Sequence, residues 1–357
     1  MRILFAYTGA SINARKRGGK NLLDDLHGLS TTHMSEVNYL LLCYWLQKLG
    51  HEVSILSSSS PKTGEYHLPI VALSTVNPEM FDALLLFKVQ GLKFSVDSRF
   101  LSFPWKRIFA WLDGPAPENI LGDQAQRITA FAWGTPGILA LGKNGYPKAR
   151  HVLCEHATVF SEPPVLGDTE PRGLYAGRLP QVYLDQVLLA AKVCPMLVYA
   201  LWVSTGGDRR ILLRPGQFDL TQLQQAQTLM PASVDLRSGI NVIAQATEVS
   251  KAAFGLCPAT GDSNRKQILS ASKFYDYLAL GLPVVLGDST PEAQVVRDNP
   301  LLGELYAQGT PGSLEAALNR VLVRNARTMH DRLKIQSWVF SHATYKHRAG
   351  VLHDLVG

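Results

Sequence analysis

Residues 270–285 read "SASKFYDYLALGLPVV". They bring two serines, Lys273 and Asp276 to the start of one apolar helix. A helix begins with amides that have no internal partner and that carry the positive end of its dipole. Phosphate is the ligand such an end accepts best. With a serine in the stretch from Ser270 to Ser272 as cap, Lys273 adds a full positive charge there. Asp276, three residues on and on the same face, offers acceptor oxygens to a diol. Phosphate plus diol describes a nucleotide. The same residues also fit a capped amphipathic helix that buries Phe274, Tyr277 and Leu278 and leaves its charges in water, and physical reasoning alone leaves both readings standing.

Other chemistry-bearing patterns are sparse. No DxD, HExxH, GxSxG or paired Cys/His spacing occurs, so no metal site is expected. "GILALGKN" (137–144) fits GxxxxGK, but Asn144 replaces the Ser/Thr that a phosphate loop needs and the intervening residues are apolar. Asp113 breaks the apolar run "RIFAWLDGP", at a strand end where parallel sheets collect ligands. Three candidate bases follow: Asp113, and His27 and His33 on an earlier loop, because an imidazole titrates near neutrality.

The elements that would position these residues alternate. "RILFAY" reads as a buried strand, "SEVNYLLLCYWLQKLG" as a helix ended by Gly50, and "HEVSILS" as a strand, which together make a parallel α/β unit. "DALLLF" and "RIFAWL" continue as strands. "SEPPVLGDTEPR" (161–172) reads as a linker, after which the alternation restarts: "GLYAGR" as strand and turn, "YLDQVLLAAKV" as helix, then "MLVYALWV" and "AAFGLCPA" as strands. One or two closing helices are expected in "DRLKIQSWVFSHATYKHRAGVLHDLV".

A chain of 357 residues exceeds what one core usually supports, and two domains are expected. The net charge of +6 suits an anionic partner such as a nucleotide, a nucleic acid or an acidic membrane face. The 4 cysteines show no CxxC spacing and read as reduced, which points to a cytoplasmic chain. No secretory leader or transmembrane run is read, and peripheral contact with the inner membrane face stays open.

"SASKFYDYLALGLPVV" resembles the sugar-nucleotide segment of group 1 glycosyltransferases of GT-B architecture: a lysine, aromatics around an acid, then a "YLAxGxPVV" ending. "LYAGRL" (174–179) is similar to the glycine-arginine turn that opens their second domain, and "FSHATYKHRAGVL" to the ending of spore-maturation-protein-like members. The resemblance implies two Rossmann-like α/β domains facing a cleft. An N-terminal acceptor-side domain would cover residues 1–165, and a nucleotide-sugar-binding domain 173–334. The last helix, about 335–357, would cross back to the first domain, with His342, Tyr345, His347 and Arg348 in structural roles.

For the site, the resemblance implies that Asp276 holds the ribose, one methylene shorter than the usual Glu. It implies that Arg178 neutralises the diphosphate. The lysine that commonly follows is missing here ("PQVYLDQ"), a role for Lys273 or for Arg209, Arg210 and Arg214. Ser272 and Lys273 would complete the helix end. Gly18 and Gly19, in the basic loop "ARKRGGK", would let backbone amides approach the phosphates, while its cations equally suit an anionic acceptor. Glu292 would face the sugar-nucleotide, or serve as a first-turn acid on the next helix.

The implied activity is transfer of a sugar from a nucleotide-sugar, most simply a UDP-sugar, to a glycan, lipid, protein or DNA acceptor. Retention at the anomeric carbon is implied with it, while the absence of a DxD triplet leaves a metal clamp on the diphosphate without ligands, and no other cofactor is expected. A phage-type enzyme that glucosylates hydroxymethylated DNA and an inactive nucleotide-sugar-binding protein are the alternatives.

Overall fold

The computed structural model describes residues 1–7, 34–57, 68–87, 103–112, 126–207, 209–213, 219–239, 243, 245–259, 272–323 and 328–357. The first sheet holds β1 (Arg2–Tyr7), β2 (Glu52–Ser57), β3 (Ile70–Ala72), β4 (Ala83–Phe87), β5 (Ile108–Leu112), β6 (Ala130–Trp133) and β7 (Arg150–Leu153). Their order is β3-β2-β1-β4-β5-β6-β7, and every pairing is parallel. β4 (ALLLF), β5 (IFAWL) and β6 (AFAW) are buried at every position. Unbroken apolar runs of this kind belong to strands covered on both faces.

Helix α1 (Met34–Lys48) ends at Gly50, whose φ of 86° glycine accepts without strain. Helix α2 (Pro136–Gly145) is capped by Thr135, with a proline in its first turn. It contains the GxxxxGK look-alike. A Cβ on Gly142 would fall 2.0 Å from the Trp133 ring, so this glycine serves helix-to-strand packing and holds no phosphate.

The second sheet begins with β8 (Gly173–Leu179), α3 (Gln181–Val193) and β9 (Met196–Ser204). Next come β10 (Arg210–Leu212), α4 (Leu220–Gln227), β11 (Val234–Ser238), α5 (Ala246–Val249) and β12 (Phe254–Cys257). It closes with α6 (Ser272–Ala279), β13 (Val284–Gly287), α7 (Ala293–Asp298), β14 (Gly303–Tyr306) and α8 (Ser313–Val323). The order is β10-β9-β8-β12-β13-β14, with β11 also on β9. β11 pairs with the first part of β9 in parallel, and β10 pairs with its last part in antiparallel fashion. Neither strand is anticipated by the sequence, because "VDLRS" and "RIL" are short and charge-bearing.

Helix α6 stops in a Schellman motif. Gly281 N–H donates to Leu278 O at 2.9 Å and Leu282 N–H to Tyr277 O at 3.0 Å, with Gly281 at a φ of 66°. This explains the Gly-Leu-Pro punctuation. Buried Arg332, on α9 (Met329–His342), reaches the carbonyls of Leu280, Gly281, Gly167 and Ser250. Gln336 on the same helix donates to Pro164 O and Ala279 O, at 2.9 Å each. The proline-rich linker is thereby fastened to the second domain.

The last helix, α10 (Tyr345–Val356), opens with a capping box of Thr344 and His347. It lies against the first domain, where Arg107 donates to Val356 O at 2.8 Å and Arg150 to Leu355 O at 3.4 Å. The chain therefore crosses back as expected. One continuous core joins α1, the residues after β7, α6, α9 and α10, so the seam between the domains is apolar. Among the described residues no helix is long and apolar enough to cross a membrane. All four cysteines are buried and unpaired.

Candidate functional site

In the second sheet the strand order reverses between β8 and β12, so the segments that leave their carboxyl ends open onto one crevice. Arg178 is near the end of β8, and Lys273 is in the first turn of α6, the helix after β12. Between them Gly177 has a φ of 143°, and a Cβ there would come within 3.3 Å of Lys273 Nζ. The glycine of "LYAGR" thus makes room for the lysine. A register shift at Gly177/Arg178 leaves Leu201 of β9 without an opposite number while Arg178 stays paired with Trp202, and Arg178 is exposed.

Lys273 is enclosed by aromatic rings. Its Nζ lies 4.4 Å from the centre of Tyr175 and 5.5 Å from that of Tyr183, and it donates to the Tyr175 hydroxyl at 3.4 Å. That hydroxyl in turn donates to Arg178 O. Burial draws the amine down to about 8; Cys257 opposes this and the Arg178 cation adds to it. No acid pairs with Lys273 among the described residues.

Asp276 is one turn further along α6 and buried. Its Oδ1 accepts from Thr158 Oγ1 at 3.0 Å and from Val159 N–H at 2.9 Å, both in the connector that follows β7. Burial pushes the carboxyl up to about 7, against these two bonds, which favour the charged form. Glu292 is buried at the head of α7 without forming a side-chain cap, and its charge reaches Cys257 and Tyr275. Ser272 is the first residue of α6, and its side chain lies outside the described residues.

Asp113, His27, His33, Gly18, Gly19 and Arg214 also lie outside the described residues. Arg209 and Arg210 are exposed at the β9–β10 hairpin, with the Arg210 guanidinium 5.7 Å from the Trp202 ring. Arg178 pairs in register with Trp202 on the neighbouring strand, so these cations lie toward the same end of the sheet. The structure thus brings Arg178, Lys273, Asp276 and Glu292 to one end of the second sheet.

Several members of this site escape sequence reasoning. Tyr175 stands inside "LYAGR" but reads there as a strand residue, and Tyr183 as a helix residue. Their convergence on Lys273 needs the sheet. Glu155 escapes as well, and Arg348, expected only in a structural role, is its partner: burial raises the Glu155 carboxyl against the pull of Arg348. The guanidinium of Arg348 donates to His156 O at 2.8 Å and lies 6.0 Å from the Tyr275 ring on α6.

No family model and no curated protein matches the sequence. Solved structures do match in shape. A sucrose-phosphate synthase from Thermosynechococcus elongatus superposes with a TM-score of 0.67 at 13% identity, covering 99% of this chain and 98% of that one. A glycosyltransferase from Rickettsia africae gives 0.65 at 8% identity, over 99% and 97%. A DNA-modifying β-glucosyltransferase, solved with and without uridine diphosphoglucose, gives 0.58 at 11% identity, over 100% and 99%. With its two largely parallel sheets, its crossing last helix and these likenesses over the whole length, the chain has the GT-B glycosyltransferase fold.

Proposed function

We propose that this protein is a cytoplasmic glycosyltransferase that moves a sugar from a UDP-sugar to an acceptor hydroxyl, with retention and without a metal. The observation that carries the reading is Lys273: a partly buried cation with aromatic walls and no acid partner among the described residues, beside exposed Arg178 at the strand-order switch. An anion is what such a pair lacks. A diphosphate would take the bidentate Arg178 and the point charge of Lys273, and its ribose diol would meet Asp276. In the reaction the bond from the anomeric carbon to the diphosphate breaks and the acceptor oxygen takes that carbon. The acceptor proton leaves to a base, for which Asp113, His27 and His33 remain the candidates. Gly18, Gly19, Ser272 and Glu292 complete the proposed contacts.

The test is a thermal-shift panel of nucleotide-sugars followed by mass spectrometry of the products. A UDP-sugar should raise the melting temperature and be consumed, with the same activity in the presence of a chelator. Binding without consumption would leave a nucleotide-sugar-binding protein. No response to any nucleotide-sugar would overturn the reading.

The net charge of +6 and the likeness to a DNA-modifying β-glucosyltransferase favour a second reading, transfer to a modified base in DNA. Binding to DNA that falls steeply with added salt would support it, and no binding at low salt would remove it.

A further inference from the structure

The connector that follows β7 meets α6 at one polar point. Thr158 Oγ1 and Val159 N–H both donate to Asp276 Oδ1, at 3.0 and 2.9 Å. Thr158 is 0% exposed, Val159 3% and Asp276 7%, so water does not compete for these bonds. The Thr158 hydroxyl also accepts from Phe160 N–H at 3.2 Å, which leaves its own proton for the carboxylate. The backbone of Thr158 is held by the end of the chain: its N–H donates to Ala343 O at 2.9 Å, and it bridges to Thr344. Three pieces of the fold therefore converge on this threonine: the connector, the first helix of the sugar-nucleotide crevice, and the start of the helix that returns to the first domain.

We infer that Thr158 is a positioning residue for the sugar-nucleotide site: its hydroxyl, with the Val159 amide, fixes the Asp276 carboxylate and ties α6 to the connector between the domains. The inference rests on the reading of Asp276 as the ribose acceptor. Its physical content is electrostatic as well as steric. Burial alone would keep Asp276 protonated at neutrality, and a protonated acid is a poorer acceptor for a diol. Two donors on Oδ1 return part of the charge. Losing the two bonds from the connector would therefore let Asp276 take up a proton, so the contact between connector and α6 and the strength of ribose binding are linked.

Among the described residues, the titratable and charged groups around Asp276 are few. Lys273 and Tyr277 share its helix, Cys257 ends β12, and Glu292 heads α7. Glu155 and Arg348 act on the adjacent Tyr275 from the connector and from α10. Of these, Cys257 and Tyr277 feel the charge of Asp276. Both are neutral at pH 7, because burial raises them further from their ordinary values.

The experiment compares the full chain with Thr158→Val, which keeps the shape and loses the hydroxyl, and Thr158→Ser, which keeps the hydroxyl. The first readout is the carboxyl titration of Asp276 in protein labelled with carbon-13 aspartate, its signal assigned by loss in Asp276→Asn. The second is the affinity for UDP across the same pH range. In Thr158→Val the midpoint should rise by about one pH unit, and UDP affinity at pH 7 should fall by up to about fivefold relative to the parent. That deficit should close above about pH 8.5, where Asp276 is charged in both. Thr158→Ser should titrate like the parent. An unmoved midpoint in Thr158→Val, or an equal loss of affinity at every pH, would overturn the inference. If no variant and no parent binds UDP, the functional reading fails, while the carboxyl titration still decides whether Thr158 governs Asp276.

Discussion

The amine of Lys273 lies 4.4 Å from the centre of the Tyr175 ring and 3.4 Å from its hydroxyl, and that hydroxyl is itself spent on the carbonyl of Arg178. One tyrosine thereby links the Lys273 amine, in the first turn of α6, to the backbone of Arg178 near the end of β8. Ring face and hydroxyl oxygen both favour a positive charge, yet neither neutralises it. A partly buried charge left in that condition lowers stability until an anion arrives.

Lys273→Met tests that statement. Its depressed amine lies below the unfolded value of about 10.4, so the penalty is full below about pH 8 and fades as pH rises toward that unfolded value. Its upper limit is about 3 kcal/mol. Lys273→Met should melt higher than the parent at pH 7, with a smaller difference at about pH 10. It should also lose the thermal shift given by UDP. A variant that melts lower and still responds to UDP would remove Lys273 from the proposed site.

Affinity for a UDP-sugar should follow a bell against pH. Below about 7 Asp276 takes up a proton and stops accepting fully; above about 8 Lys273 loses its charge. Each limb should fall by up to about tenfold per pH unit, and a bound diphosphate should move the alkaline limb upward by favouring charged lysine. Asp276→Asn should flatten the acid limb only. Calorimetric titration from about pH 5.5 to about pH 9.5 measures it. A flat profile would count against both residues.

Asp276→Asn should also stabilise the empty protein. The folded carboxyl titrates above its unfolded value of about 3.9, so folding favours the protonated form and stability is lost as pH rises from there through about 7. Asparagine keeps an acceptor oxygen for Thr158 and Val159 without the charge. A gain of up to about 4 kcal/mol is the ceiling at pH 8, with little change at about pH 4. Chemical denaturation at the two pH values checks it.

His51 and His353 tie the last helix to the first domain through one hydrogen bond of 2.9 Å between ring nitrogens, which needs at least one neutral ring. Burial, the chain's amino terminus and His353 lower the titration of His51. A lowered histidine stabilises above its unfolded value and loses that stability as pH falls through about 6.5. Stability should therefore drop as pH falls below about 6.5, and less so in His353→Asn. Equal acid sensitivity in the variant would show that other groups are responsible.

Much of the fold is legible from local pattern. "DALLLF" and "RIFAWL" read as covered strands because every position is apolar, and Gly281 reads as a helix stop because only a left-handed residue closes the Schellman motif. β10 and β11 are not legible, since three to five mixed residues gain their strand form only by pairing with β9. In the crevice, Lys273 and Asp276 follow from helix spacing and Arg178 from resemblance, whereas the partners Tyr175, Tyr183 and Thr158 follow from neither.

The sequence by itself determined the alternation of strands and helices, the helix end that carries Lys273 and Asp276, and the glycine turn before Arg178, because each depends on residues a few positions apart. Only the tertiary structure decided that Lys273 sits between two tyrosines and that Asp276 answers to Thr158, 118 residues away along the chain. The physical reason is that sheet order and the returning last helix bring these groups together, and the low dielectric of that seam, which no local pattern encodes, moves their titrations toward neutrality.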